Sequence, residues 1–356
     1  MGRLAVLVAV AAGLLALFGE RFVHLRKRLL ASREIQQNHL PNCELIKGLD
    51  YGSEDITVLP NGLALISTGL KYPGTPHFSE EPGKIYVLDL HANHLKPVEL
   101  RVSRGFDLDS FNPHGISVYI DETDHTVYLF VVNHPNSEST VEIFRYNEED
   151  NSIAHLKTIK HKLLHHVNDI VAVGPESFYA TNDHYFSHEL LRAVEMFLDL
   201  PWCDVIYYTP EGVREVAAGF NSVNGINISP DNKYIYVADI LAQTIHVMEI
   251  QKDKTLTSVK AVQVGSLPDN IEVDRVTGDV WLGCHPNAAK MAPYDPQNPP
   301  GSEVIQIKHI HSETPEVRQV YADDGSVIQG SSIAVAYQGR LLIGSVFHKM
   351  LICDLE

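Results

Sequence analysis

The feature that most limits how this chain can fold is a short pattern, two small or polar residues followed by isoleucine, that returns six times. It reads Glu54-Asp55-Ile56, His114-Gly115-Ile116, Asn168-Asp169-Ile170, Asn224-Gly225-Ile226, Asp269-Asn270-Ile271 and Ser331-Ser332-Ile333. Between isoleucines the intervals are 60, 54, 56, 45 and 62 residues, each filled with β-branched and aromatic runs broken at turn residues. Four short strands and their turns need about this much chain, so each unit reads as one blade of an all-β, six-bladed β-propeller. Six blades bring six equivalent polar tips to one axis. Oxygen ligands converging from separate strands are what a hard cation takes.

Strands are expected at Lys84–Leu90, Thr126–Val132, Val141–Tyr146, Lys233–Ala238 and Thr244–Met248, separated by turns such as Pro60-Asn61-Gly62 and Ser229-Pro230-Asp231-Asn232. The run Arg340–Ile352 has no repeat after it, so it should pair with strands from the N-terminal side and close the ring. One stretch breaks the β rhythm. In Ser187–Leu200, the residues Leu190, Leu191, Val194, Phe197 and Leu198 recur at helical spacing, with Ser187 as the expected N-cap. A helix over the mouth of the propeller follows, its apolar stripe usually packed on the ring and less commonly a wall of a site or a lipid-contacting face.

Formal net charge is −17, but residues 1–34 carry six Arg or Lys against two Glu, leaving 22 basic and 43 acidic side chains in the body. An acidic body argues against nucleic acid, whose phosphates need basic patches. Two regions follow: a hydrophobic and basic segment over 1–34 and a propeller over 35–356. Leu4 to Phe18 is a 15-residue apolar run after Arg3, of signal-peptide length and short of a spanning helix. Secretion is expected. No clear small-x-small cleavage site follows it, and Arg21–Leu30 is basic and amphipathic, so a retained segment at a lipid interface and an ordinarily cleaved signal both fit. Of the four cysteines, Cys43 and Cys353 stand where a staple joining the ends of a closed ring would stand. Such a bridge contributes about 2–5 kcal/mol. Cys203 and Cys284 have no evident partner, and Cys284 reads as a buried small hydrophobe before it reads as a nucleophile.

Common catalytic signatures are missing from the sequence: no Gly-x-Ser-x-Gly elbow, no His-Glu-x-x-His, no EF-hand loop. His161 and His165 have a zinc-compatible spacing without a third ligand, and solvated surface histidines are the simpler reading. Glu54, Asn168, Asn224, Asp269 and Asn270 offer two carboxylates and three amide carbonyls. Taken singly, Asn and Asp at strand ends make turns; repeated in register before isoleucine, they read as a metal site. His114 lies on a repeat tip and His134 ends a strand that could return to the same face. Histidine suits proton transfer near neutrality, though spacing alone leaves open whether this pair performs it.

From end to end the chain resembles the serum paraoxonase/arylesterase family, and two stretches lean towards its type 2 branch, Met1-Gly2-Arg3-Leu4 and Tyr236–Ala242. The motifs are Gly52-Ser53-Glu54-Asp55-Ile56, Phe111-Asn112-Pro113-His114-Gly115-Ile116-Ser117, Val132-Asn133-His134-Pro135, Val167-Asn168-Asp169-Ile170, Thr181-Asn182-Asp183-His184-Tyr185-Phe186, Asn224–Pro230 and Gly283-Cys284-His285-Pro286-Asn287. The resemblance implies a six-bladed propeller with two calcium ions in its tunnel. It implies a catalytic ion on Glu54, Asn168, Asn224, Asp269 and Asn270, and a structural ion on Asp55, Asp169 and the Ile116 carbonyl. It pairs Cys43 with Cys353 and leaves Cys284 free. It implies an uncleaved N-terminal segment that sits with the lid helix on lipoprotein or membrane.

The implied reaction is hydrolysis of lactones, with aryl esters and organophosphate triesters as side substrates. His114 would be general base, His134 would orient it and relay the proton, and Asp183 would support them from behind. Glu54 or Asp269 could take part instead. Leu70, Tyr72, Arg192, Ser222, Tyr294, Ser332, Val346 and Phe347 match positions lining the family's pocket. Two departures stand out. Asp253 and Asp324 occupy sites where the family commonly has glycosylation sequons, leaving only Asn227-Ile228-Ser229, in a repeat tip. One extra residue falls between the two histidines, expected in the Asp121–His125 turn. A non-catalytic propeller that keeps the metals and serves as a binding scaffold is the alternative.

Overall fold

The computed structural model describes residues 2–355, and the β-rich pattern resolves into six sheets arranged in chain order. The first blade holds Asp55–Val58, Leu63–Thr68, Lys84–Asp89 and Val98–Glu99. The second holds Pro113–Ile120, Val127–Asn133, Thr140–Asn147 and Ser152–Ile159, with Arg101–Val102 added parallel to its outermost strand. The third, fourth and fifth blades begin at Val167–Gly174, Val223–Ile228 and Leu267–Val273, each followed outward by three antiparallel strands. The sixth is made from both ends of the chain: Ser331–Tyr337, Arg340–Ser345 and Leu351–Asp354 are completed by Glu44–Leu45. The ring therefore closes as the unrepeated C-terminal run requires, and Cys43 is bonded to Cys353 beside that seam.

Each isoleucine of the repeat lies on an innermost strand, and in five of the six blades, all but the first, the residues before it form a local irregularity. Pairing slips between Pro113 and Ile116, Val167 and Ile170, Val223 and Ile226, Pro268 and Ile271, and Ser331 and Ala334. A bulge of this kind releases residues from strict alternation and re-aims their side chains. That is how a strand whose flanks pack in apolar layers can present polar groups to the axis. The core itself is divided among the seams. One cluster joins each neighbouring pair of blades, for example Ile56, Ile66, Leu88, Ile333, Leu342 and Ile352 between first and sixth, and Val171, Tyr179, Ile226 and Val237 between third and fourth. No blade can bury both of its faces alone.

Two expectations change. The N-terminal region forms one continuous helix, α1 (Gly2–Arg28), rather than a short apolar run followed by a separate amphipathic stretch. At about 1.5 Å per residue it reaches ~40 Å, and it is long and apolar enough to cross a membrane. Arg26, Lys27 and Arg28 end it, where cations suit the helix dipole. The lid helix, α2, spans Glu189–Leu198, and its N-cap is His188, whose side chain accepts the Leu190 N–H, not Ser187. Its burial is inverted: Arg192 (7%) and Glu195 (1%) face inward while Leu190 is 67% exposed and Leu191, Val194 and Leu198 also face out. The inward carboxylate has a use, because Glu195 accepts the Tyr185 and Phe186 N–H groups. The apolar stripe is thus turned away from the ring.

The two helices meet through Phe18 and Phe197, centroids 5.1 Å apart, and through Asp199, which accepts from His24 at 3.1 Å and pairs with Arg28. In the Asp121–His125 turn Asp121 accepts from Thr123, and His125 takes a left-handed conformation. Asn227, from the remaining sequon, donates to the Ile271 carbonyl at 2.8 Å in an innermost strand. Replacing Cys43 and Cys353 by alanine is expected to lower stability by about 2–5 kcal/mol, read as an earlier midpoint in chemical denaturation with no loss of β signal beforehand.

Candidate active site and metal centre

Five of the predicted ligands stand at the upper end of the axis, all buried: Glu54, Asn168, Asn224, Asp269 and Asn270. Their hydrogen bonds orient them. Asn270 Nδ2 donates to Glu54 Oε1 at 2.9 Å and to the Glu54 carbonyl at 3.0 Å. Asn168 Nδ2 donates to Asp183 Oδ2 at 3.2 Å. The amide nitrogens of Asn168 and Asn270 thus donate to fixed acceptors, which turns their oxygens away. Glu54 Oε2, Asn168 Oδ1, Asn224 Oδ1 and Asn270 Oδ1 are buried with no hydrogen-bond partner. An unsatisfied buried acceptor costs about 1–3 kcal/mol, and four on neighbouring tips form a donor set that a hard cation satisfies. Among the described residues no group of three or more His, Cys, Asp or Glu is placed to hold a metal. The set here is mostly neutral amide, which suits calcium and not zinc.

Below this layer Asp55 and Asp169 tie adjacent blades together. Asp55 accepts from Ile56 N–H at 2.8 Å and Ile116 N–H at 2.7 Å; Asp169 accepts from Ile170 N–H at 2.7 Å and Ile226 N–H at 2.8 Å. Burial first, then the neighbouring negative charge of Glu54 on Asp55 and of Asp55 on Asp169, pushes both carboxyl pKa values well up. Two such groups at one depth ask for a positive charge between them. They line a cavity of ≈ 180 Å3 at the lower end, with Ile116, Asn227 and Glu272. The tips also touch backbone to backbone: a Cβ on Gly115 would overlap Asp169, and one on Gly225 would overlap Asn270 and the Asp269 carbonyl.

His114 and His134 do come together. His114 Nδ1 lies 3.0 Å from His134 Nε2, both rings buried, and His114 Nε2 lies 3.5 Å from Glu54 Oε1. His134 Nδ1 lies 3.3 Å from both the Glu138 carbonyl, which can only accept, and the Ser139 hydroxyl, which can do either. Burial and the neighbouring His114 lower the His134 pKa, which favours its neutral form. In the tautomer with Nδ1 protonated towards Glu138, His134 Nε2 accepts from His114 Nδ1, and His114 Nε2 faces Glu54. Burial acts to lower the His114 pKa, but Glu54, Asp183 and Asp269 outweigh it and the net shift is upward.

Asp183 has other partners than the two histidines. It accepts from Tyr72 Oη at 2.6 Å and from Asn168, and it meets His166 Nδ1 at 2.5 Å. Although burial acts against its charge, His166 and His184 hold its pKa well below the usual carboxylate range. Of the expected pocket residues, Leu70, Tyr72, Ser222 and Val346 line a chamber of ≈ 220 Å3 above the five oxygens. Arg192 instead lines a neighbouring chamber of ≈ 320 Å3 with Lys71, Tyr72, His134 and His166. Tyr294 and Phe347 pack against the apolar rim formed by Leu70, Met291 and Val346. Ser332 is not wall: fully buried, it donates to the Glu54 carbonyl at 2.6 Å and props that ligand.

The sequence reading missed His285, whose Nε2 lies 2.8 Å from Asp269 Oδ2 and whose Nδ1 is buried without a partner. It also missed His166, and Leu29, which reaches the chamber from the segment after α1. His285 belongs to the Gly283–Asn287 motif, so a signal for it existed; Leu29 had none. Cys284 is wholly buried between the fourth and fifth blades and burial pushes its thiol pKa up, which favours the unreactive thiol form.

A family model described as arylesterase matches residues 34–355. Over the whole of both chains, this sequence is 59% identical to serum paraoxonase/arylesterase 2 of Gallus gallus and 57% identical to that of Homo sapiens, and 54% identical to human serum paraoxonase/lactonase 3. Among solved structures it resembles a luciferin-regenerating enzyme at TM-score 0.57 and 11% identity, covering 88% of this chain and 96% of that one. A putative gluconolactonase matches at TM-score 0.51 and 12% identity over 90% and 96%. At such identities the last two show shared fold alone.

The orphaned oxygens give a test by sign. Asn224→Leu removes one of them, so in chelator its unfolding free energy should lie within about 1 kcal/mol of the parent. In millimolar calcium the parent should gain stability that the variant does not, which denaturant titrations with and without calcium will read.

Proposed function

Because this chain belongs to the arylesterase family, we propose that the upper chamber is the hydrolytic site of a calcium-dependent lactonase. The protein is a hydrolase of esters and lactones. Organophosphate triesters fit the same site as side substrates. The observation that carries this reading is the convergence of four unpartnered oxygens beside His114, whose Nε2 lies 3.5 Å from Glu54 Oε1. Glu54, Asn168, Asn224, Asp269 and Asn270 would hold a catalytic calcium; Asp55, Asp169 and the Ile116 carbonyl would hold a structural one. A cation in the upper site supplies polarisation of the carbonyl or phosphoryl oxygen and stabilises charge developing there.

The rest falls to the chain's own groups. His114 Nε2 takes a proton from water as its oxygen bonds to the acyl carbon, and Glu54 beside it favours the imidazolium that results. His134, anchored by Glu138, holds the ring in that tautomer. The proton returns to the departing oxygen as the ring C–O bond breaks, giving a hydroxy acid. Tyr72 and Leu70 cover the chamber and keep bulk water out. Asp269, held by His285, and Asp183, which orients Asn168, keep the oxygen donors aimed.

The scaffold alternative predicts no turnover. Asp269→Ala is expected to reduce lactone hydrolysis at least about a hundredfold, and His114→Gln about a hundred- to ten-thousandfold, unequally across lactones and aryl esters. A pH-stat assay in calcium buffer decides: activity unchanged in both variants removes the site assignment, and none in the parent favours the scaffold.

The apolar length of α1 is compatible with membrane or lipoprotein association. In the proposed arrangement the outward faces of α1 and α2 lie together in a lipid interface, and the Cys43–Cys353 bridge suits an oxidising, extracytoplasmic setting. Exchanging Leu190 and Val194 for glutamate should reduce co-flotation with phosphatidylcholine vesicles while leaving hydrolysis of a water-soluble lactone intact.

A further inference from the structure

Tyr72 stands between the two upper chambers and belongs to the wall of both. Its ring lies 5.1 Å from His114, 5.6 Å from His134 and 5.5 Å from His166, centroid to centroid. It sits on the long connection between Leu63–Thr68 and Lys84–Asp89, which contains Pro73, Gly74 and Pro76 and has no strand or helix of its own. Such a segment keeps a side chain in place only where its backbone is held. Tyr72 is tied at its hydroxyl to Asp183 and His166 and at its carbonyl to Thr75; on the N-terminal side its backbone is held through the residue beside it.

Asn112 Oδ1 accepts the Lys71 N–H at 2.7 Å and Asn112 Nδ2 donates to the Lys71 carbonyl at 2.9 Å. The side-chain amide thus pairs with Lys71 as a peptide group of an adjacent strand would. The backbone of Asn112 is itself fixed on both sides: its N–H donates to Asn133 Oδ1 at 2.9 Å, and its carbonyl accepts the His134 N–H at 3.1 Å. Asn133 Nδ2 donates in turn to Glu142 Oε1 at 3.3 Å, and that buried carboxylate also accepts from Thr140 and Thr158. The neighbouring Phe111 carbonyl accepts the Gly83 N–H at 2.8 Å, closing the far end of the same connection. One rigid strand end therefore carries His114, holds His134 and pins the backbone next to Tyr72.

Building on the hydrolytic reading above, we propose that Asn112 is a positioning residue that sets how large an acyl group the site accepts, by fixing Tyr72 as the partition between a ≈ 220 Å3 and a ≈ 320 Å3 chamber. Only asparagine has one donor and one acceptor at this reach; aspartate keeps the acceptor for Lys71 N–H and loses the donor to its carbonyl. With the clamp released, Tyr72 keeps only its hydroxyl and carbonyl contacts, and the partition between the chambers loosens. A small lactone loses its tight wall while one with a long alkyl chain gains room.

The test compares γ-butyrolactone with a γ-lactone bearing a long alkyl chain, using the full chain in calcium. For Asn112→Ala the ratio of kcat/KM, long-chain over small, is expected to rise about tenfold, the scale of discrimination an apolar pocket provides, with Asn112→Asp intermediate. A fold defect lowers both substrates in proportion and leaves that ratio unmoved, so an unchanged ratio overturns the proposal. Limited trypsin digestion gives a readout independent of activity. Cleavage after Lys71 should be faster in Asn112→Ala and less so in Asn112→Asp, with thermal unfolding little changed; a rate equal to the parent's in both variants also overturns it. If Asn112→Ala yields no soluble protein, Asn112→Asp carries both readouts. If the parent hydrolyses neither lactone the hydrolytic reading itself fails, and the digestion still decides the clamp.

Discussion

Everything in this molecule depends on bringing polar oxygens to the axis of a ring held together by apolar seams. Burying carboxylates and amides is costly unless something pairs with them. Asp55 and Asp169 meet part of that demand with backbone N–H groups of the next blade, so the same contacts that satisfy them bind first blade to second and third to fourth. The upper layer is left short of donors by design of its geometry: the amide nitrogens of Asn168 and Asn270 are committed, and their oxygens face one another's neighbourhood. In the proposed reading, a cation at the axis would be as much a part of the packing as the isoleucines behind it. Stability and chemistry draw on the same few atoms.

Around that axis, the two histidines and Asp183 form separate arms. His134 and Glu138 fix His114 from one side, whereas Asp183 acts through Asn168, Tyr72 and His166. In the proposed mechanism the first arm would govern where a proton can go, and the second the aim of a ligand and the position of the partition. Arg192, placed in the second chamber by α2, meets His166 and so lets the lid helix touch that second arm. Because α2 is itself joined to α1 through Asp199 and Phe197, a continuous chain of contacts runs from the outer apolar surface to the chamber wall.

Much of this was legible before the structure. The recurring isoleucine marks each innermost strand, and in five of the six blades the residues ahead of it fall on a bulge; that regularity made the blade count readable and singled out the tips that carry buried oxygens. Cys43 and Cys353 were readable for a related reason, since a closed ring must join its ends. The misses have physical causes. Ser187 looked like the N-cap of α2, yet His188 takes the role because its side chain reaches Leu190 N–H. The stripe of α2 looked like a packing face, but helical periodicity states that a helix has two faces and not which one meets the core. Ser332 matched a pocket position and proved to be a prop beneath Glu54.

What the chain alone determined is its periodicity: six units, their polar tips, the turn residues between strands and an apolar start, all consequences of local spacing and composition. What only the tertiary structure decided is mutual orientation. Which nitrogen of Asn168 or Asn270 is spent on a neighbour, which way α2 faces, how Leu29 and His285 enter the chamber, and that Asn112 pairs with Lys71 depend on contacts between residues far apart in the chain. Such contacts arise only when the ring closes and each tip meets its neighbours, so no local pattern encodes them.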